Sequence, residues 1–236
     1  MPSIIIIIPC FNEAKRLQTS AFLNFIDSHP DVQFYFINDG STDNTENILK
    51  ELQGSSDRIS ILSLSHNRGK GEAVREGVLK ALLTNANYIG YLDADLSTSL
   101  EEFYNLHQIM LDRNADIVFG SRIKKADTNI ERSLARHLVG RTIATVIDRK
   151  LKLGYYDTQC GAKIFSAAIL KQVVNKPFLT KWFFDVELFM RLKKHEKELN
   201  IFEIPLSSWH NVKDSKLNAL SFPAVIKEIY ILLTKY

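Results

Sequence analysis

The chain is predicted to fold as α/β, with a doubly wound, mostly parallel sheet and helices on both faces. Three observations lead there. Short β-branched apolar runs alternate with stretches of helical apolar spacing through the first half of the sequence. The first run, Ser3–Pro9, is apolar without alternation, as expected of a central strand buried on both faces. Charged and amide side chains follow the ends of successive runs, at the sheet edge where doubly wound folds bind ligands.

Taken in order, Ser3–Pro9 leads into the loop Cys10-Phe11-Asn12-Glu13, and Leu17–Ile26 has helical spacing. Val32–Ile37 is a second strand, ending at Asn38-Asp39-Gly40. Ser41-Thr42-Asp43 should cap a helix through Leu52, with Glu46 three residues after Asp43 in a capping-box-like pattern. Ile59–Leu64 is a third strand, followed by the Gly- and base-rich turn 66–71 and a helix over Glu72–Leu83. Tyr88–Leu92 is a fourth strand and runs into Asp93-Ala94-Asp95. The second half reads as a helix at Leu100–Leu111, a strand at Asp116–Phe119 and a long amphipathic helix at Arg132–Lys152. A turn at Asp157–Gly161 enters a short strand, Ala162–Phe165. A helix at Phe184–Lys194, a strand at Ile201–Ile204, a polar loop at Trp209–Lys216 and an apolar helix at Phe222–Tyr236 complete the chain. With no linker or repeat in 236 residues, a single domain over 1–236 is expected, with a ligand-binding half (1–122) and a less regular half (123–236).

Composition narrows the function classes. A net charge of +3 does not suit bulk nucleic-acid binding. Ile4–Ile8 is too short to span a bilayer and stops at Pro9, and no later stretch reaches the ~20 apolar residues a span needs. With two cysteines and no secretory signal, a reducing, cytoplasmic setting without a disulfide is expected. Cys10 and Cys160 are read as core thiols, because no partner base is evident.

Asp93 and Asp95 are the focus. Two carboxylates on alternate residues at a strand end should point to one side, and leaving both ionised requires a cation between or beside them. Hard oxygen ligands suit Mg²⁺ or Mn²⁺, and a diphosphate is the usual burden of such an ion. Asp39 ends a neighbouring strand, where a carboxylate can accept from a nucleobase N–H, and Asn12 and Glu13 lie across from it. The turn Arg68-Gly69-Lys70-Gly71 at a helix start can cradle phosphate through backbone N–H groups. It lacks the spacing of a P-loop, and no G-x-G-x-x-G follows Ile8, which removes the dinucleotide oxidoreductases.

At these residues the chain resembles the family 2 glycosyltransferases of GT-A fold. The match runs through P-C-F-N-E (9–13), N-D-G-S-T-D-N-T (38–45), N-R-G-K-G (67–71), D-A-D (93–95) and G-S-R (120–122). D-T-Q-C-G-A-K-I-F (157–165), W-F-F-D-V-E-L (182–188) and W-H-N-V-K-D-S-K-L (209–217) are similar to the polyprenyl-phosphate branch, nearest to the dolichyl-phosphate β-glucosyltransferases. The resemblance implies an inverting transfer of a hexose from a nucleotide sugar. Pro9, Asn12, Glu13, Asp39, Lys70, Asp93 and Ala94 would hold the donor, and Asp95, with Asp93, the metal. It places Asp185 where relatives that use a hydroxyl acceptor keep a general base. A lipid monophosphate needs no base, because its second pKa is ~6. It needs polar and cationic partners, and the candidates are Arg122, Arg136, Gln159, His210 and Lys216. The plainer alternatives are a core-edge salt bridge for Arg122 and a solvated face for Arg136 and Lys216. A saccharide-hydroxyl acceptor in cell-surface polysaccharide synthesis, or a nucleotide-sugar-binding protein without turnover, are the competing functions. The terminal helix fits a bilayer surface at the cytoplasmic face, packing on the domain, or a homo-oligomer contact equally well.

Overall fold

The computed structural model describes residues 4–123, 129–130, 154–195, 198–210 and 222–236. Strand β1 (Ile4–Cys10) lies at the centre of a seven-stranded sheet. Its isoleucines are completely buried, Ile4, Ile6 and Ile8 against one face and Ile5 and Ile7 against the other. Burial on both sides explains why this strand lacks polar alternation. Parallel to it run β2 (Val32–Asn38) and β4 (Tyr88–Leu92), with β3 (Ile59–Ser63) beyond β2. The pairing of β1 with β4 stops at Ile7–Tyr91, so Pro9, which has no N–H to give, stands past the end of that ladder.

Helices α1 (Thr19–Ser28), α2 (Thr45–Gly54) and α4 (Leu100–Asp112) bury Phe22, Phe25, Leu49, Phe103 and Met110 on one face. Helix α3 (Lys70–Ala81), with α5 (Ala167–Val173) and α6 (Phe184–His195), buries Val74, Val78, Leu170, Phe184 and Phe189 on the other. Both faces are thus covered, as expected of a doubly wound sheet.

The second half departs from simple winding. Strands β5 (Ile117–Ser121), β7 (Ala162–Ser166) and β8 (Ile201–Pro205) complete the order β3-β2-β1-β4-β7-β5-β8. Strand β7 comes after β5 in the chain but inserts between β4 and β5, antiparallel to both. The short strands β6 (Asn129–Ile130) and β9 (Ser208–Trp209) form a separate parallel pair. Helix α7 (Phe222–Lys235) packs Val225 and Leu232 against Phe183 and Val186. Its Glu228 accepts from the backbone N–H groups of Trp182 (2.8 Å) and Phe183 (3.2 Å), tying the entry of α6 to the C-terminal helix.

Two local expectations change. Asp43 does not cap α2 in a capping box: the helix begins at Thr45, and Glu46 pairs with Lys50 instead. The Asp43 carboxylate accepts from Thr45 N and Thr45 Oγ1 and, across the sheet edge, from Ala14 N, so it joins two loops. Helix α5 spans only seven residues, too few for apolar periodicity to announce it. The long helix expected over 132–152 lies outside the described residues, as does most of the loop expected over 209–216.

Candidate active site

The carboxyl ends of β1, β2 and β4 meet at one edge, where the first two βα loops are laced together. Asn12, at φ +51°, accepts from Thr42 N through Oδ1 (2.8 Å), and its own N–H donates to Ser41 Oγ. Glu13 is buried and paired with Arg16 at 2.7 Å, while its N–H donates to Thr45 Oγ1. Asp39, 2 % exposed, accepts from Arg68 N (2.7 Å) and Gly69 N (2.9 Å). Burial raises its carboxyl above the ordinary range, against the opposing pull of those amides and of Arg68 and Lys181. Gly40, at φ +65°, lies so close to the backbone of His66 and Asn67 that no side chain fits there. The 66–71 turn is therefore not a free phosphate cradle. Its Arg68 and Gly69 N–H groups are committed to Asp39, and the Arg68 side chain is paired with Glu72 (2.7 Å) and Glu76 (3.1 Å).

Asp93 and Asp95 do not continue the strand. Strand β4 ends at Leu92, and a turn closed by Leu96 N to Asp93 O carries both acids, with Leu96 at φ +52°. The alternation expected to align them therefore stops short, and each carboxylate is held separately. Asp95 Oδ1 accepts from Ser97 N (3.0 Å) and Ser97 Oγ (2.9 Å). Asp93 Oδ1 is 2.5 Å from Lys70 Nζ, with both side chains about one-third exposed (37 % and 36 %). Gly161, from the turn before β7, abuts the Asp93 carboxylate and leaves no room for a Cβ. Ala94 between them is buried. Two carboxylates on one turn are hard oxygen donors of the kind Mg²⁺ or Mn²⁺ takes, once Lys70 gives up Asp93. Among the described residues, no group of three or more Asp, Glu, His or Cys side chains could hold an ion alone.

The opposite wall is made of ion pairs. Arg122 grips Asp157 in a bidentate pair, Nε at 2.7 Å and Nη2 at 2.8 Å, and its backbone N–H also donates to Asp157. Burial alone would lower the guanidinium pKa; Asp157 outweighs it and the net shift is upward. Asp157 is itself fixed, because its N–H and that of Tyr156 donate to Glu203 on β8. Arg122 also lies over the Trp209 ring, 5.4 Å from its centroid. The candidate acceptor cation is thus engaged with a carboxylate, the plainer of its two sequence readings. Gln159 makes a long contact (3.5 Å) with Trp182 O, and His210 is exposed, with its N–H donating to Ser97 O. Arg136 and Lys216 lie outside the described residues. Cys160 is buried and its thiol is pushed up by burial and by Asp157; neither it nor Cys10 is in a disulfide.

Asp185, at the first turn of α6, is not at an open surface. It is 4 % exposed and accepts from Tyr91 Oη and from Lys163 Nζ, the latter at 2.8 Å. Lys163, on β7, is completely buried and also donates to Cys160 O. Burial pushes both members toward neutrality, Asp185 up to about 7 and Lys163 down to about 7. Sequence reasoning missed Lys163. The available signal was its phase: it shares a strand face with Phe165, so it had to point into the core and needed a carboxylate there.

The mostly parallel sheet, with two laced βα loops and an acidic turn at its carboxyl edge, is the arrangement of a GT-A glycosyltransferase. The chain belongs to glycosyl transferase family 2, whose model matches residues 5–174. A dolichyl-phosphate beta-glucosyltransferase of Dictyostelium discoideum is 31 % identical, covering 92 % of this chain and 69 % of that protein. That of Saccharomyces cerevisiae is 29 % identical over 98 % of this chain and 74 % of its own length. Among solved structures, glucosyl-3-phosphoglycerate synthase from Mycobacterium tuberculosis, in complex with Mn²⁺ and UDP-glucose, superposes with a TM-score of 0.69. The match covers 99 % of this chain and 78 % of that one at 16 % identity, a likeness of fold. Among the described residues, no helix is long and apolar enough to cross a membrane.

Proposed function

We propose that the chain transfers glucose, with inversion, from UDP-glucose to a polyprenyl phosphate. The observation that carries the choice of acceptor is the state of Asp185. A hydroxyl acceptor needs a base within hydrogen-bond reach of its proton. A carboxyl titrating near neutrality would suit that task, but this one is nearly sealed from solvent and already accepts from Tyr91 and Lys163. A phosphate monoester brings its own anionic oxygen and needs no base. The names of the relatives point the same way.

On this reading Asp39 and the Asn12–Glu13 loop seat the nucleoside, and Lys70 faces the diphosphate. Asp95 and Asp93 would hold a Mg²⁺ or Mn²⁺ ion, which when bound supplies Lewis acidity against charge on the leaving diphosphate. A phosphate oxygen attacks the anomeric carbon as the bond to the nucleoside diphosphate breaks. Arg122 and His210 border the acceptor side, and the Asp157 pair fixes the arginine's fork. The acceptor lies in a bilayer, and the exposed apolar side chains Leu179, Trp182, Ile226 and Tyr230 lie on the α6 entry and α7, two segments joined by Glu228. These, with Lys181 and Lys227, would form a peripheral membrane contact.

The test is Asp185→Asn, assayed with UDP-glucose, Mn²⁺ and undecaprenyl phosphate after thermal melting confirms folding. Retention of activity within about tenfold supports the phosphate acceptor. A collapse of about 10³-fold with unchanged donor binding would mark Asp185 as a base and return the hydroxyl acceptor.

A further inference from the structure

The acidic pair already has a cation. Lys70 is the first residue of α3, after Gly69 at φ +94°. A helix N-terminus repels positive charge, so a lysine there needs a compensating anion. It finds Asp93 at 2.5 Å, and its ammonium hangs 5.9 Å above the Tyr91 ring and 5.8 Å from the Phe184 ring. Asp95, the other member, turns one oxygen onto Ser97.

We infer that Lys70 is the resident counter-ion of the acidic pair, and that a divalent ion loads only when Lys70 moves from Asp93 to the incoming diphosphate. The inference rests on the nucleotide-sugar reading for the second half of that exchange. The first half, competition between ammonium and metal for one carboxylate, does not depend on it. A dication and an ammonium repel each other strongly at the separations a single carboxylate allows. Without a nucleotide the ammonium holds the position. A nucleoside diphosphate arriving at the α3 N-terminus offers Lys70 a second anion and frees Asp93. Metal and nucleotide therefore bind synergistically, and Lys70 is the element that links them. Because linkage is reciprocal, the metal must tighten the nucleotide by the same factor.

The test is Mn²⁺ binding, followed by loss of the free-ion EPR signal, in the wild type, Lys70→Met, Lys70→Arg and Asp95→Asn. Without nucleotide, Lys70→Met is expected to bind Mn²⁺ at least about fivefold more tightly than the wild type, whereas Lys70→Arg, which keeps the charge, stays near the wild type. Adding UDP should tighten Mn²⁺ on the wild type by about tenfold or more and on Lys70→Met by much less. Asp95→Asn should lose the ion in every condition, which locates it. If Lys70→Met binds Mn²⁺ no more tightly than the wild type in the absence of UDP, or if Asp95→Asn retains the ion, the inference is overturned. Failure of UDP itself to bind the wild type, read separately by calorimetry, would overturn the nucleotide-sugar reading and the exchange onto diphosphate, while the metal-alone comparison still decides whether Lys70 is the counter-ion.

Discussion

The two walls of the site handle charge in opposite ways. On the proposed donor side, apart from Glu13, whose pair with Arg16 is mostly buried, carboxylates are held by neutral partners or by a cation about one-third exposed. Asp39 takes backbone amides, Asp95 takes Ser97, and Asp93 shares Lys70 with solvent. On the proposed acceptor side, basic and acidic side chains pair in the interior, Arg122 with Asp157 and Lys163 with Asp185; Arg191 and Glu187 follow the same rule deeper in α6. The difference teaches which charges are available. Lys70 and Asp93 can exchange partners when a ligand arrives, because water already compensates them in part. Acceptor-side pairs cannot, since separating a buried pair leaves an uncompensated ion. On the proposed function, the Lys70–Asp93 edge is the part that rearranges and the buried pairs hold their shape.

The strongest way to break this contrast is Lys163→Met. It leaves Asp185 buried without its cation and should cost about 3–5 kcal/mol in urea unfolding at pH 8. The sign of its pH dependence follows from Asp185, whose folded pKa, about 7, lies above its unfolded value. Such a group contributes stability that is fully present below the unfolded pKa and lost as pH rises through the folded one. The variant should therefore be less impaired at pH 5.5 than at pH 8. The wild type should vary less, because Lys163, lowered to about 7, has the opposite slope: its contribution is present above its unfolded pKa and lost as pH falls through 7. A Lys163→Met protein equally destabilised at both pH values would show that Asp185 is not the group left behind.

Arg122→Lys sharpens the contrast at the next level. A lysine keeps the charge but not the fork, so part of the bidentate pair with Asp157 is lost, a change of about 1–3 kcal/mol. Steady-state kinetics should show the acceptor KM rising roughly tenfold with the donor KM unchanged; equal effects on both would join the walls that the contrast separates. The smallest effect is expected at Lys50→Ala. Its pair with Glu46 is solvent-exposed, and such i,i+4 pairs contribute only about 0.3–0.5 kcal/mol. A larger loss in thermal melting would mean that surface pairs matter here as much as buried ones.

The βα edge that carries Asp39, Lys70 and Asp93 was largely legible in the sequence, and the reason is locality. Asp39, Lys70 and Asp93 each follow a strand or start a helix, so reading the βα alternation places them at one edge. What the sequence did not carry there was who bonds whom: the Arg68 and Gly69 amides went to Asp39 rather than to a phosphate. The acceptor wall was legible only through the family resemblance, because its partners are far apart in the chain. Arg122 and Asp157 come together only because β7 and β8 flank β5, and no periodicity announces an antiparallel strand inserted into a parallel sheet. Lys163 was visible as a lysine in apolar company, but its partner on α6 could not be named before β7 had been placed.

The insertion of β7 also bears on how the molecule is made. As the chain emerges from the ribosome, β4 has its edge toward β5 unpaired until residues 162–166 arrive. Long-range pairing of this kind slows folding and exposes open edges to other chains. The same late segment brings Gly161 against Asp93 and Lys163 against Asp185, so the acidic turn receives its final neighbours only when the sheet closes. A nascent chain stalled before β7 would carry Asp39, Lys70, Asp93 and Asp95 and still lack the Gly161 and Lys163 that complete their surroundings.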